Sequence, residues 1–128
     1  MKKGKLIMNT KIIKATTDDK DYISLFNLSK LENVYIIYKD SLKCGIVEFW
    51  LKDGYICLEL LEIQKHFRRL GIGRTVINYL LKNYGDIFGD CAPNWNSANF
   101  WIAMGAEFDE NLEEGIEYKT CIPFVIYS

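Results

Sequence analysis

The stretch Gln64-Lys65-His66-Phe67-Arg68-Arg69-Leu70-Gly71-Ile72-Gly73-Arg74 decides the fold, because the hydrophobic period changes across it. Before it, Asn33 to Lys39, Lys43 to Leu51 and Gly54 to Ile63 are β-rich runs separated by the turn-like segments Lys39-Asp40-Ser41 and Lys52-Asp53-Gly54. That pattern predicts an antiparallel meander. After it, Val76, Ile77, Leu80, Leu81 and Tyr84 recur at helical spacing, which predicts an amphipathic helix from Gly73 to near Gly85. The quoted residues are therefore a glycine-rich, basic strand-to-helix turn.

Working outward, Lys11 to Thr16 has strand character, and Asp18 and Asp19 offer N-caps for a helix whose apolar members are Tyr22, Ile23, Phe26 and Leu28. On the other side, Asp86 to Cys91 reads as a strand and Ser97 to Met104 as a helix stopped by Gly105. Ala106 to Phe108 and Tyr118 to Tyr127 supply the last strands, and Pro93 and Pro123 sit at element edges. The fold class is α/β (α+β), with helices flanking a mixed, mostly antiparallel sheet.

The chain has 128 residues and 14.9 kDa, the size of one domain spanning 1–128. The first ten residues are read as a flexible or additional amino-terminal segment. A hydrophobic content of 49% excludes intrinsic disorder. The net charge of −1 removes the electrostatic reason to expect nucleic acid as a partner. Charge is unevenly spread: residues 1–30 carry +4, residues 31–85 carry +2 and residues 86–128 carry −7. The acidic excess could attract a cationic substrate, or be a solvated loop at Asp109 to Glu117. Cys44, Cys57, Cys91 and Cys121 form no CxxC pair, and His66 is the only histidine, so no metal-ligand spacing exists. The cysteines read as reduced thiols of a cytoplasmic protein. The apolar run Leu6 to Met8 is far too short for a secretory signal. No apolar run nears the roughly 18 residues that would span a membrane.

Arg68, Arg69 and Arg74 are the only arginines in the chain, and all three flank Gly71 and Gly73. A helix start offers unpaired N–H groups and a positive dipole end, and glycines let a phosphate approach that backbone. Arginine suits phosphate oxygens. The turn is therefore a candidate phosphate site. A dinucleotide fold does not fit, because Val76 occupies the third glycine position and a meander precedes the turn instead of a βαβ unit. An ATP-type P-loop also fails, since no GxxxxGK followed by Ser or Thr occurs.

Ile63 followed by Arg68-Arg69-Leu70-Gly71-Ile72-Gly73 resembles the acetyl-CoA signature of the GNAT superfamily of N-acetyltransferases, and Asn94, Ser97, Phe100-Trp101 and Gly105 resemble its second signature. The resemblance covers about Lys11 to Tyr127, with the helical amino-terminal part shortened to one helix. It implies a single-domain GNAT-like fold in which the strand ending at Ile63 splays from a parallel neighbour, Asp86 to Cys91. It further implies that backbone groups of Leu61 to Ile63 pair with the pantetheine arm and that N–H groups from Arg69 through Gly71, Ile72 and Gly73 to Arg74 hold the pyrophosphate, with Asn94 touching the arm from the other side. Acetyl-CoA is the implied co-substrate, without a metal, and a small-molecule or peptide amine is the implied acceptor. Dimers are frequent in the family, so a homodimer is implied by analogy.

Two departures stand out. Ser97 replaces the usual alanine, a small-for-small change. Trp101 stands where a tyrosine usually protonates the departing thiolate, and an indole N–H donates a hydrogen bond but is no acid near neutral pH. Glu59, four residues before Ile63, is the expected general base for the amine, with Glu62 as its rival on the opposite face by strand alternation. Set in the apolar run Cys57 to Leu61, the Glu59 carboxylate should have its pKa raised by desolvation, or else pair with a basic residue on an exposed face. Two functions are open: direct acetyl transfer to a primary amine, or a non-catalytic CoA-binding sensor or subunit, which Trp101 favours.

Overall fold

The computed structural model describes residues 9–108 and 120–128. Its strands are β1 (Thr10–Lys14), β2 (Val34–Lys39), β3 (Leu42–Lys52), β4 (Tyr55–Ile63), β5 (Asp86–Cys91), β6 (Glu107–Phe108) and β7 (Ile122–Ile126). Its helices are α1 (Lys20–Ser24), α2 (Ile72–Tyr84) and α3 (Trp95–Ala103), with 3-10 turns at Thr17–Asp19 and Lys65–Phe67. The strands hydrogen-bond in the order β1-β2-β3-β4-β5-β7-β6, with β4 and β5 parallel. This is the mixed sheet expected from the sequence, flanked by helices. No helix among the described residues is long and apolar enough to cross a membrane. Residues 1–8, the acidic loop Asp109 to Glu117 and the start of the expected last strand at Tyr118 lie outside the described residues.

The described residues fall into two compact units, and β3, β4 and α2 each contribute to both. One comprises residues 9–49 and 60–76. Its core is Ala15, Ile23, Phe26, Val34, Ile36 and Ile46, with Tyr22, Leu28, Leu31, Tyr38 and Leu60 packed against it. Turn chemistry sets the register of β2 on β3, because Asp40 and Ser41 both take positive φ (50° and 75°) between the two strands. The register shifts between Ile37 and Tyr38, which face Gly45 and Lys43, so Cys44 is the extra residue of a β-bulge. The Cys44 thiol donates to the Ile37 carbonyl at 3.4 Å, and burial pushes its pKa up to about 11.

The first helix departs from expectation at both ends. Asp19 occupies the N-cap position, as the sequence suggests, but its side chain makes no capping bond into α1, and Asp18 lies in the preceding 3-10 turn. Asp19 reaches back instead, its Oδ2 accepting the Thr16 N–H at 2.8 Å across a 3-10 turn, while its Oδ1 meets Lys43 Nζ at 2.8 Å. At the other end Asn27 takes φ 63°, its N–H donates to the Ser24 carbonyl, and the Leu28 N–H donates to the Ile23 carbonyl. That is a Schellman closure, with asparagine in the left-handed position. Phe26 and Leu28 still join the core, but from the segment after the helix.

The second unit comprises residues 50–59, 77–108 and 120–128. Buried Ile56, Leu58, Ile77, Leu80, Ile87, Ala98, Ile122, Phe124 and Ile126 form its interior. Pro123 lies inside β7 and not at an element edge, pairing with Asp90 in register. No described residue of β6 pairs with it, since the described β6–β7 ladder is Glu107–Val125 and Phe108–Phe124.

Past their shared ladder, β4 and β5 continue with different partners. The parallel ladder runs from Tyr55–Asp86 to Leu58–Gly89 and stops there. Beyond Leu58, β4 is held on its β3 side: a Cβ on Gly45 would overlap the Glu62 carbonyl, and the Gln64 N–H donates to the Cys44 carbonyl at 2.8 Å. Beyond Gly89, β5 stays with β7 through Asp90–Pro123 and Cys91–Ile122.

Gly45→Ala should lower stability by about 1–3 kcal/mol in a denaturant melt, because the atom it meets is backbone and cannot rotate away. The Asp19–Lys43 pair should give a pH signature. The hydrogen bond from Lys43 holds the Asp19 carboxyl below its ordinary 3.8, so its stabilisation is present above that value and is lost as pH falls through the lower, folded value. The stability difference between the protein and Asp19→Asn, measured by urea melts, should be full at about pH 6 and shrink as pH falls below the ordinary 3.8 through the lower, folded value.

Candidate active site

The β4-to-α2 turn is built from backbone outward. Gln64 is extended, Lys65 to Phe67 make one 3-10 turn, and Arg68 returns to extended geometry at φ −74°, ψ 159°. Arg69 and Gly71 then take positive φ, 65° and 78°. For arginine this region is unfavourable, and it turns the chain so that α2 can begin at once. The Gly71 carbonyl accepts both the N–H and the hydroxyl of Thr75, at 3.0 and 2.9 Å. Gly71 is therefore the N-cap, and the N–H groups of Ile72, Gly73 and Arg74 precede the first intrahelical bond. Ile72 and Gly73 are buried, which fixes the helix start, whereas Arg68, Arg69, Gly71 and Arg74 are exposed. The Arg68 Nε–H donates to the Ile63 carbonyl at 2.8 Å, tying the turn to the end of β4. Positive side chains, an open glycine and the dipole end of a helix of 13 residues thus share one place.

Of the two carboxylates, Glu59 is exposed and Glu62 half-buried. The apolar neighbours of Glu59 in sequence therefore do not enclose it. Asn94 and Trp101 belong to the second unit. Asn94 caps α3, its Oδ1 accepting the Ser97 N–H at 2.9 Å. Trp101 is half-buried, stacked on Phe124 at 4.5 Å between centroids with Phe100 edge-on at 4.9 Å. The Phe124 ring in turn covers Gly89, where a Cβ would lie 2.8 Å from it. Among the described residues no group of His, Cys, Asp or Glu could hold a metal ion.

No family model and no curated protein matches the sequence. Solved structures do. Naa50 of Arabidopsis thaliana, in complex with the bisubstrate analogue CoA-Ac-MVNAL, is 17% identical with a TM-score of 0.66, covering 91% of this chain and 97% of that one. An acetyltransferase of the GNAT family from Staphylococcus aureus is 15% identical with a TM-score of 0.63, covering 93% and 99%. This chain has the GNAT fold. The diaminobutyrate acetyltransferase of Paenibacillus lautus, in complex with L-2,4-diaminobutyric acid and coenzyme A, shares that fold at 11% identity and a TM-score of 0.67, covering 94% and 95%.

Within the GNAT fold, Leu61, Ile63, Arg68, Arg69, Gly71, Ile72, Gly73 and Arg74 come together in the first unit as the strand end and its turn, while Asn94 and Trp101 sit on α3. The sequence reading passed over Gly45, although a glycine inside a strand is the usual mark of a close backbone approach.

The packing of Trp101 makes a prediction that needs no ligand. Trp101→Ala should cost roughly 2–3 kcal/mol in denaturant melts, less than a fully buried tryptophan would, and Trp101→Phe should cost under half as much.

Proposed function

We infer that the protein is an acetyl-CoA-dependent N-acetyltransferase acting on a primary amine by direct transfer. The observation that carries this is the turn after β4, where the N–H groups that precede the first intrahelical bond of α2 are flanked by every arginine in the chain and by the left-handed Gly71. That donor set fits a pyrophosphate: convergent backbone N–H groups, a helix dipole and guanidinium forks. The GNAT fold, shared with proteins crystallised with CoA or a CoA conjugate, supports the same ligand.

Acetyl-CoA supplies an activated thioester carbonyl, and the chain's residues bind and orient it. The turn from Arg69 to Arg74 takes the pyrophosphate, Arg68 and its neighbours add charge, and the backbone of Leu61 to Ile63 offers strand-like pairing to the arm. A backbone N–H near Ile63 stabilises the oxyanion as the amine adds to the carbonyl. Glu59 takes the proton from the ammonium, directly or through water, so that the neutral amine attacks. Its exposure suits exchange of that proton with solvent. By the family resemblance Asn94 would contact the arm and Trp101 would offer an aromatic face and an indole N–H donor, but no acid. As the adduct collapses, the extra proton on the nitrogen passes to water and the thiolate leaves unprotonated or takes a proton from water, tolerable for a group with a parent pKa near 8.5.

A second reading, a CoA-binding module without turnover, is favoured by Trp101 itself, a residue that has no acid to give and is stacked on Phe124.

One pair of variants tests the turn. Nothing lies within 4 Å of a Cβ on Gly71, whose φ is +78°, and Asp and Asn both tolerate the left-handed region better than other residues. They differ mainly in charge. Gly71→Asp should bind acetyl-CoA at least tenfold more weakly than Gly71→Asn in calorimetric titrations, while the two variants melt at about the same temperature as each other; equal affinities would remove the phosphate assignment. Gly73 is unsuited to this test because it is buried. Turnover is then read by thiol release across an amine panel, where Glu59→Gln should lower the rate roughly a hundredfold with acetyl-CoA affinity kept. Binding without release across the panel would select the second reading.

A further inference from the structure

We propose that Tyr22 is a positioning residue that couples α1 to the phosphate turn through Gln64, so that a ligand seated in the turn orders α1 and whatever orders α1 tightens the turn. The inference rests on the acetyl-CoA reading of that turn and extends it to the regulation of the same site.

Gln64 is the residue between the end of β4 and the 3-10 turn, and it is bonded in three directions. Its N–H donates to the Cys44 carbonyl of β3 at 2.8 Å, and its carbonyl accepts the Phe67 N–H at 2.9 Å. Its side-chain Oε1 accepts the Tyr22 hydroxyl at 2.6 Å, across 42 residues of sequence. Gln64 thus joins the turn to β3 through its backbone and to α1 through its side chain.

The phenol can hold that role permanently. Burial pushes its pKa well above the ordinary 10.0, with Cys44 and Tyr38 adding to the effect. It therefore remains a donor, which fixes the Gln64 amide with its oxygen toward Tyr22. The ring is held as well, edge-on to Phe26 at 5.4 Å and beneath Lys43 Nζ at 5.2 Å. Lys43 in turn grips Asp19 at the start of the helix.

Both coupled parts need outside support. A helix of five residues, Lys20–Ser24, is far below the length at which helices stand alone in water, so its order comes from tertiary ties. The turn carries Arg69 at φ 65° and N–H groups without intrahelical partners. A ligand that satisfies those groups narrows the motion of the turn and, through Gln64, of α1. Coupling of this kind is reciprocal and needs no change in mean structure.

Hydrogen exchange with and without coenzyme A tests this directly, read on peptides covering residues 64–74 and 17–28. In the natural protein both should exchange more slowly when coenzyme A is added. In Tyr22→Phe, which keeps the ring, residues 64–74 should still be protected while residues 17–28 no longer respond, and affinity should fall roughly two- to tenfold, the scale of one hydrogen bond. Gln64→Leu removes the same bond from its other end and guards against a Phe variant that folds poorly. The double variant should bind no worse than the weaker single one, because both changes delete one interaction. A turn that coenzyme A does not protect overturns the acetyl-CoA reading and the coupling with it. A protected turn beside an unresponsive α1, an α1 that still responds in Tyr22→Phe, or additive losses in the double variant overturns the coupling alone.

Discussion

Every N–H and C=O of an extended backbone needs a partner, and the last residues of β4 meet that demand on the β3 side. Gly45 lets the backbone of Glu62 come closer than any side chain would permit, and the Cys44 carbonyl, set free by the bulge, takes the Gln64 N–H. The parallel ladder to β5 ends at Leu58–Gly89, while β5 continues along β7. The second edge of residues 59–63 is thereby excused from the β5 ladder. A strand end of this kind is suited to accept an extended ligand as an added strand, and the bulge and the glycine in β3 are what hold it there.

In the turn between β4 and α2, conformation and charge reinforce each other. Positive φ at Arg69 and Gly71 closes the turn so that α2 begins at Ile72, with buried Ile72 and Gly73 seating the helix start. Close spacing of Arg68, Arg69 and Arg74 would ordinarily be unfavourable beside the positive end of a helix dipole. A carboxylate at the cap would have relieved this, yet the cap is glycine. The local charge is thus left uncompensated by the turn itself, which is the condition under which an anionic ligand gains the most.

The parts of the fold legible in the sequence are those with local signals. The strands from Val34 to Ile63 and helix α2 came through because alternation and helical spacing persist over many residues, and Gly54 and Gly85, both with positive φ, punctuate them. The first helix was misjudged because apolar spacing continued to Leu28 while the backbone had already turned at Asn27. In the site, the glycine and arginine turn was visible as a contiguous string. Tyr22 on Gln64 and Glu62 against Gly45 are long-range meetings set by the bulge at Cys44, and no local pattern announces them. The burial expected for Glu59 failed for the related reason that neighbours in a strand alternate in direction and do not surround one another.

The two signatures differ in how much of each the fold itself explains. In the second, the spacing of Asn94 and Ser97 is that of an N-cap and the third helical residue, and a bond at 2.9 Å accounts for it. Trp101 has a ring partner in Phe124, which in turn requires Gly89. These residues would be selected for packing and capping even without a ligand. In the first signature the fold accounts for Gly71 as a cap and Ile72 as a buried side chain, and for Arg68 through its bond to the Ile63 carbonyl. It gives a reason for the left-handed backbone at position 69 but none for an arginine there, nor for Arg74 beside N–H groups that precede the first intrahelical bond. Strain and like charge that the turn itself does not compensate are costs that a ligand can offset, so the case for chemistry rests on the turn after β4 more than on α3.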